Sequence, residues 1–156
     1  IELFGRAAQS ATGIDRSPEM LRLARGKLSS LDIAAWDLRQ GDLAALPFAD
    51  AAADTVILHQ VLHFIPAPEG AIAELSRILS PDGRLLIVDF APHGREELRD
   101  QDAHARLGFS DQQIATWLAA AGLDCDLIED LKGGTLTVKL WRARRVAEHR
   151  LKAVAA

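Results

Sequence analysis

The run Thr55-Val56-Ile57-Leu58 is nearly continuously apolar and β-branched before it ends on His59. A strand of that kind is ordinarily covered on both faces, which predicts a central place in a sheet. Arg84 to Phe90 carries the same signature behind the tight-turn residues Ser80-Pro81-Asp82-Gly83. Two shorter strand candidates precede them: Ala11 to Asp15, ending on an acid, and Ile33 to Leu38, broken by Gly41-Asp42. Between the strands the hydrophobic period becomes helical. Ser17 is placed to cap a helix, with Pro18 at its first position and Glu19 at its positive end. Met20, Leu21, Leu23, Ala24 and Leu28 supply its apolar positions up to Ser29-Ser30. Residues 69–79 put Ile72, Leu75, Ile78 and Leu79 on one face. Ser110 and Gln113 make a capping box for a helix over 111–121, which Gly122 stops. The intervening 95–106 reads as a strongly charged helix with a solvated face.

Beyond Gly122 the pattern changes. Leu123 to Glu129 and Thr135 to Arg142 flank Lys132-Gly133-Gly134, a hairpin signal, and residues 135–140 alternate polar with apolar. The tail 143–156 reads as a basic helix. Strands alternating with helices, followed by a hairpin, predict an α/β fold whose mostly parallel sheet ends on a reversed strand. In such sheets ligands bind beyond the carboxyl ends of the strands, where Asp15, Asp42, His59 and Asp89 fall. At the other end of the chain, Ile1 to Phe4 reads as the last turn of a helix stopped by Gly5. The chain is therefore expected to start inside an element.

Composition narrows the function. The 156 residues favour one core, and a net charge of −4 gives no overall pull toward nucleic acid or an anionic surface. The single cysteine, Cys125, excludes an internal disulfide and a cysteine-rich zinc site, and fits a reducing compartment. No apolar run approaches the roughly 20 residues that span a bilayer, and the N-terminus lacks signal-peptide character. A cytoplasmic location without membrane partners is the expectation.

Four segments, in order, resemble class I S-adenosylmethionine-dependent methyltransferases. They are Thr-Gly-Ile-Asp-Arg-Ser-Pro-Glu-Met-Leu (12–21), Gly-Asp-Leu-Ala-Ala-Leu-Pro-Phe (41–48), Asp-Thr-Val-Ile-Leu-His-Gln-Val-Leu-His (54–63) and Leu-Ser-Pro-Asp-Gly-Arg-Leu-Leu-Ile-Val-Asp (79–89). The ubiquinone/menaquinone-type subgroup is the nearest in pattern. Asp-Phe-Ala-Pro-His (89–93) and Leu-Gly-Phe-Ser (107–110) also resemble methyltransferase domains fused behind arsenic-repressor-type winged helices. The resemblance implies a Rossmann-like methyltransferase domain over 1–145, followed by the tail 146–156. It implies S-adenosylmethionine as cofactor and a small-molecule methyl acceptor, with a homodimer as one possible assembly. It implies DNA contact only through a domain ahead of Ile1. The alternative it carries is a regulatory or dimerisation domain of a transcriptional regulator that binds the cofactor without turnover.

By the same resemblance Asp15 holds the cofactor ribose, where a carboxylate accepts from both hydroxyls with charge assistance. Arg16, Met20, Gly41, Asp42, Leu43 and His59 join it in the cofactor set. Met20 packs on the adenine, and Asp42 accepts its exocyclic amine beside the Leu43 backbone. His59 is expected at the reaction centre and His63 one helical turn further on. Both are candidate catalytic residues for taking a proton from a phenol or enol. No metal site is expected. The family's glycine-rich loop precedes its ribose acid by about 20 residues, whereas only 14 residues precede Asp15. The loop and the first family strand are therefore expected to lie before Ile1 or to be lost, and this stretch alone to bind cofactor weakly. Asp15 would also suit a nicotinamide ribose. The reversed hairpin and the Gly41-Asp42-Leu43 loop argue against that reading.

Overall fold

The computed structural model describes residues 1, 2, 5, 7–31, 35–131 and 134–146. They fall in two compact units, Ile1–Pro47 and Phe48–Ala156.

In the first unit β1 (Ala11–Asp15) leads to α1 (Pro18–Leu28) and β2 (Trp36–Gln40). The two strands pair in parallel, from Ala11 opposite Trp36 to Asp15 opposite Gln40. The Ser17 hydroxyl accepts the Met20 N–H at 3.2 Å, so the capped start of α1 forms where the sequence puts it. Only Leu21 and Leu28 of its apolar set are buried, while Met20 and Leu23 stand 53% and 52% exposed. The second strand begins later than expected, at Trp36, and Ile33 and Ala34 lie outside the described residues. The Gly5 N–H donates to the Ile1 carbonyl at 2.7 Å, the spacing of one helical turn. Leu3 and Phe4 of the expected N-terminal turn lie outside the described residues.

The second unit runs β3 (Ala53–His59), a 3-10 turn (Leu62–Phe64), α2 (Pro68–Ile78), β4 (Leu79–Phe90), α3 (Glu97–Gln101), α4 (Asp111–Ala120), β5 (Leu123–Leu131) and β6 (Val138–Arg145). Its four strands lie in the order β3-β4-β6-β5. β3 and β4 are parallel, and β6 is antiparallel to both β4 and β5. β6 is thus the reversed strand that the hairpin pattern predicts. Alternate β4 residues Leu85 and Ile87, with Trp141 and Ala143 of β6, are almost completely buried together with Ile72 and Leu75 of α2 and Ile114 and Leu118 of α4.

Three local expectations change. Ser80–Gly83 is not a turn between elements but an irregular stretch of β4, because Ala53 pairs with Leu79 and Thr55 already with Arg84. Pro81 offers the ladder no donor, and a Cβ on Gly83 would meet the Leu79 side chain at 2.7 Å. The charged helix expected over 95–106 shrinks to the five residues of α3, none of them buried. Without an apolar stripe, a helix gets no tertiary support. The backbone turns off at Ala103, whose φ is 55°. Residues 143–145, expected to open a helical tail, are the end of β6 instead, and residues 147–156 lie outside the described residues. The cations of β6 have partners on neighbouring elements. Lys139 pairs with Asp111 and Asp130, and Arg142 and Arg144 pair with Asp126. Arg145 donates to the Ser76 and Leu79 carbonyls at 2.6 and 2.9 Å, capping the end of α2.

Asp111 ties α4 to β6: one oxygen accepts the Trp141 indole N–H at 2.8 Å, and the carboxylate meets Lys139 at 2.9 Å. The Lys139 ammonium, with the Trp141 donor adding to it, holds the Asp111 carboxyl below its ordinary 3.8 against the opposing effect of burial. A carboxyl lowered in the folded state adds stability above its unfolded value and loses it as pH falls through the folded one. Asp111→Asn is expected to be less stable than the parent near neutrality. The gap in urea midpoint is expected to close as pH drops below 3.8.

Candidate functional site

Each unit presents one group of the expected site residues. In the first, the Gly41 N–H donates to the Asp15 carbonyl at 3.1 Å, one step past the last rung of β1 and β2. That rung places Asp15 and Asp42 at the carboxyl ends of neighbouring parallel strands. Asp15 is half-buried, and its Oδ1 accepts the Ser17 N–H at 2.8 Å, which orients the carboxylate. A carboxylate has about four acceptor directions, so most of its capacity is unspent. Asp42 is exposed; its Oδ1 accepts the Ala44 N–H at 2.9 Å, and its Oδ2 lies 3.6 Å from Arg16 Nε.

A cavity of about 410 Å³ is lined by Arg16, Gln40, Gly41 and Asp42. A second, of about 300 Å³, is lined largely by apolar residues of β1 and α1, with Asp15 and Met20 at its wall. Met20 is therefore an exposed wall residue rather than core. A Cβ on Gly41 would approach Ile14 at 3.0 Å. Leu43 is half-buried in the turn closed by the Ala45 N–H on the Asp42 carbonyl at 3.0 Å. Gln40 is a member the sequence reading missed, because that reading ended the strand at Leu38. Its amide donates to the Arg16 carbonyl at 3.1 Å. The donor and acceptor set fits a nucleoside: a strand-end carboxylate for vicinal hydroxyls, an exposed thioether for a ring face, and a second carboxylate for an amine.

In the second unit His59 closes β3, paired with Val88, and its side chain is exposed. The next residue, Gln60, has φ 51°, and its N–H donates to the Val88 carbonyl at 2.7 Å. Left-handed backbone at a non-glycine residue stores strain and concentrates at functional sites. The chain then enters the 3-10 turn, not the continuing helix that would set His63 on one face with His59. His63 is 2% exposed; its Nδ1 donates to Asp89 Oδ1 at 2.8 Å and its backbone N–H reaches Asp89 Oδ2 at 3.3 Å. Asp89 is fully buried and also accepts the Phe90 N–H at 2.8 Å. Asp89 therefore anchors the turn after β3 and does not open toward solvent. His63 packs among the rings of Phe64, Phe90 and His104, with centroids 4.0, 5.0 and 4.2 Å away. His104 is a member that no spacing in the sequence marked. No group of three or more His, Cys, Asp or Glu among the described residues is arranged to hold a metal ion. Nor is any helix among them long and apolar enough to cross a membrane.

Residues 1–87 match the family described as "Methyltransferase domain". The chain belongs to that family. A demethylmenaquinone methyltransferase of Tropheryma whipplei is 34% identical over 86 residues, covering 55% of this chain and 35% of that protein. A phosphatidylethanolamine N-methyltransferase of Cereibacter sphaeroides is 36% identical over 81 residues, covering 51% of this chain and 40% of that protein. The methyltransferase domain described here thus spans about 35% to 40% of the length of these relatives. Among solved structures, a SAM-dependent methyltransferase of Methanosarcina mazei superposes with a TM-score of 0.76 at 17% identity, over 94% of this chain and 87% of that one. The fold is that of the S-adenosylmethionine-dependent methyltransferases. Its family match covers β1 to Ile87 of β4, the span that carries Asp15, Asp42, His59 and His63.

Proposed function

We propose that this domain transfers a methyl group from S-adenosylmethionine to a small molecule. The residues read as holding the cofactor ribose and adenine lie in the first unit. The observation that carries the proposal is the strand-end placement of Asp15 and Asp42, linked through the Gly41 to Asp15 backbone rung, with Asp15 on the wall of the cavity of about 300 Å³ and Asp42 on that of about 410 Å³. When bound, the cofactor supplies a sulfonium-activated methyl group for in-line displacement. Asp15 accepts from the ribose hydroxyls, Met20 lies on the adenine, and Asp42 accepts the adenine amine beside the Leu43 backbone. Arg16 lies beside the Asp42 carboxylate at 3.6 Å, and Gly41 leaves room for the turn.

Positioning and exclusion of water are the main tasks in such a displacement. A base is required only where the nucleophile starts protonated. His59 has the exposed imidazole for that part. His63, sealed against Asp89, contributes by holding the turn that follows His59. The two relatives carry different acceptors in their names, so the proposal is a small molecule rather than either one. We place the domain at 1–145, ending with β6.

The test is thermal stabilisation by S-adenosylhomocysteine set against NADH. A ligand of the folded state raises stability logarithmically with concentration. S-adenosylhomocysteine is expected to raise the melting temperature of the protein and of His59→Ala equally, and NADH to leave both unchanged. Stabilisation by NADH alone would reject the methyltransferase reading.

A further inference from the structure

Three histidines meet where the segment 91–109 crosses the ends of β3 and β4. His63 comes from the 3-10 turn; His93 and His104 come from the crossing segment. His104 lies 4.2 Å from His63 and stacks on Phe90 at 5.9 Å, and His93 meets Phe90 edge-on at 5.9 Å. The segment is fastened by backbone bonds at its ends: Ala91 to Thr137, His93 to Leu107, Arg106 to His63, and Phe109 to Phe90. Beside those bonds, the His93 and His104 rings pack on Phe90 and His63.

The hydrogen-bond pattern favours neutral rings in the docked segment. His93 Nδ1 accepts the Arg95 N–H at 3.3 Å, so in this arrangement the ring proton is on Nε2. His93 Nε2 and His104 Nδ1 are buried with no hydrogen-bond partner among the described residues. A second proton on His93 would set two donors against each other at Nδ1. A proton on His104 would bring a positive ring against His63, whose own Nδ1–H is taken by Asp89. We propose that segment 91–107 is a strap docked by neutral imidazoles and released when His93 and His104 take up protons. The inference stands apart from the cofactor reading, because it concerns only the second unit.

The surrounding charges agree with this direction. Burial is the largest effect lowering both rings below the ordinary 6.5. For His93, Arg95 and His63 lower it further, and Glu97 and Glu96 oppose. For His104, His63 and His93 lower it, and Asp102 and Asp89 oppose. Arg106, itself in the strap, is fastened to the Pro66 carbonyl and lies over Trp117. A ring depressed only in the docked state costs docking free energy as pH falls from the ordinary value toward the docked one. Release therefore begins near 6.5 and grows on the acid side.

Hydrogen exchange read by mass spectrometry, corrected for the intrinsic pH dependence of amide exchange, tests this on the whole protein. Between about pH 7.5 and about pH 5, protection over 94–107 is expected to fall about tenfold for each unit by which a ring is depressed. Protection in α4 and β4 is expected to stay unchanged. In the double variant His93→Gln with His104→Phe, which keeps an acceptor for Arg95 and a ring for the stack, strap protection is expected to be flat with pH. Equal strap protection at both pH values in the parent protein would overturn the proposal. So would an acid loss shared by α4 and β4, or the same loss in the double variant.

Discussion

Gly108→Ala is expected to destabilise the second unit by roughly 3 kcal/mol, a large part of the 5–15 kcal/mol that holds a typical domain. Gly108 has φ 82°, and a Cβ there would lie 2.1 Å from the Ala91 carbonyl oxygen and 2.9 Å from that of Phe90. Both obstacles are backbone, so neither can swing aside. The left-handed conformation alone costs an alanine about 1–2 kcal/mol. Relieving the overlap then pulls Phe109 N–H off the Phe90 carbonyl, now at 2.9 Å, at about 1 kcal/mol more. Gly122 is an internal control. Its φ is 75°, but nothing lies within 4 Å of a Cβ. Gly122→Ala is expected to cost only the conformational part, about 1 kcal/mol. Urea denaturation of the two variants measures the difference; equal losses would show that the contact with Ala91 does not constrain the strap.

Asp15→Ala is expected to weaken S-adenosylhomocysteine binding by roughly a hundredfold or more. Hydrogen bonds to a charged group contribute about 1.5–3 kcal/mol each, and vicinal hydroxyls offer two. Asp15→Asn keeps one acceptor and loses the charge, so its effect is expected to lie between. The variant also frees the Ser17 N–H that Asp15 accepts at 2.8 Å, at about 1 kcal/mol of stability. Melting temperatures taken alongside affinities separate the two effects. If Asp15→Ala binds as well as the parent, the carboxylate is only the cap of the turn into α1.

Residues near their partners in sequence were legible from the chain alone. Ser17 caps α1 and the Ser110–Gln113 box forms as its spacing predicts, because both devices join groups within one turn. The apolar runs of β3 and β4 are strands, as their composition predicts, but β3 does not have the central, doubly covered place expected of it: it is an edge of the four-stranded sheet, and Ile57 stands 39% exposed between buried Val56 and Leu58. The four segments that carry the family resemblance fell in order at the strand ends. The contacts that sequence spacing could not reveal are the long ones. Asp89 and His63 are 26 positions apart, and nothing in their spacing marks them as partners. His104 stood in a stretch whose charge reads as a solvated helix, yet the residue is only 8% exposed. Arg145 reads as a tail cation and is instead held by carbonyls at the end of α2.

The central claim is that the ends of β1 and β2 form the cofactor site. A titration with S-adenosylhomocysteine, followed residue by residue in ¹H–¹⁵N spectra, tests it most directly and works for weak binding as well as tight. The expected result is saturable shifts centred on Gly13–Ser17 and Gln40–Leu43 that vanish in Asp15→Ala at the same ligand concentration. Shifts confined to other segments, or an unchanged pattern in Asp15→Ala, would contradict the account.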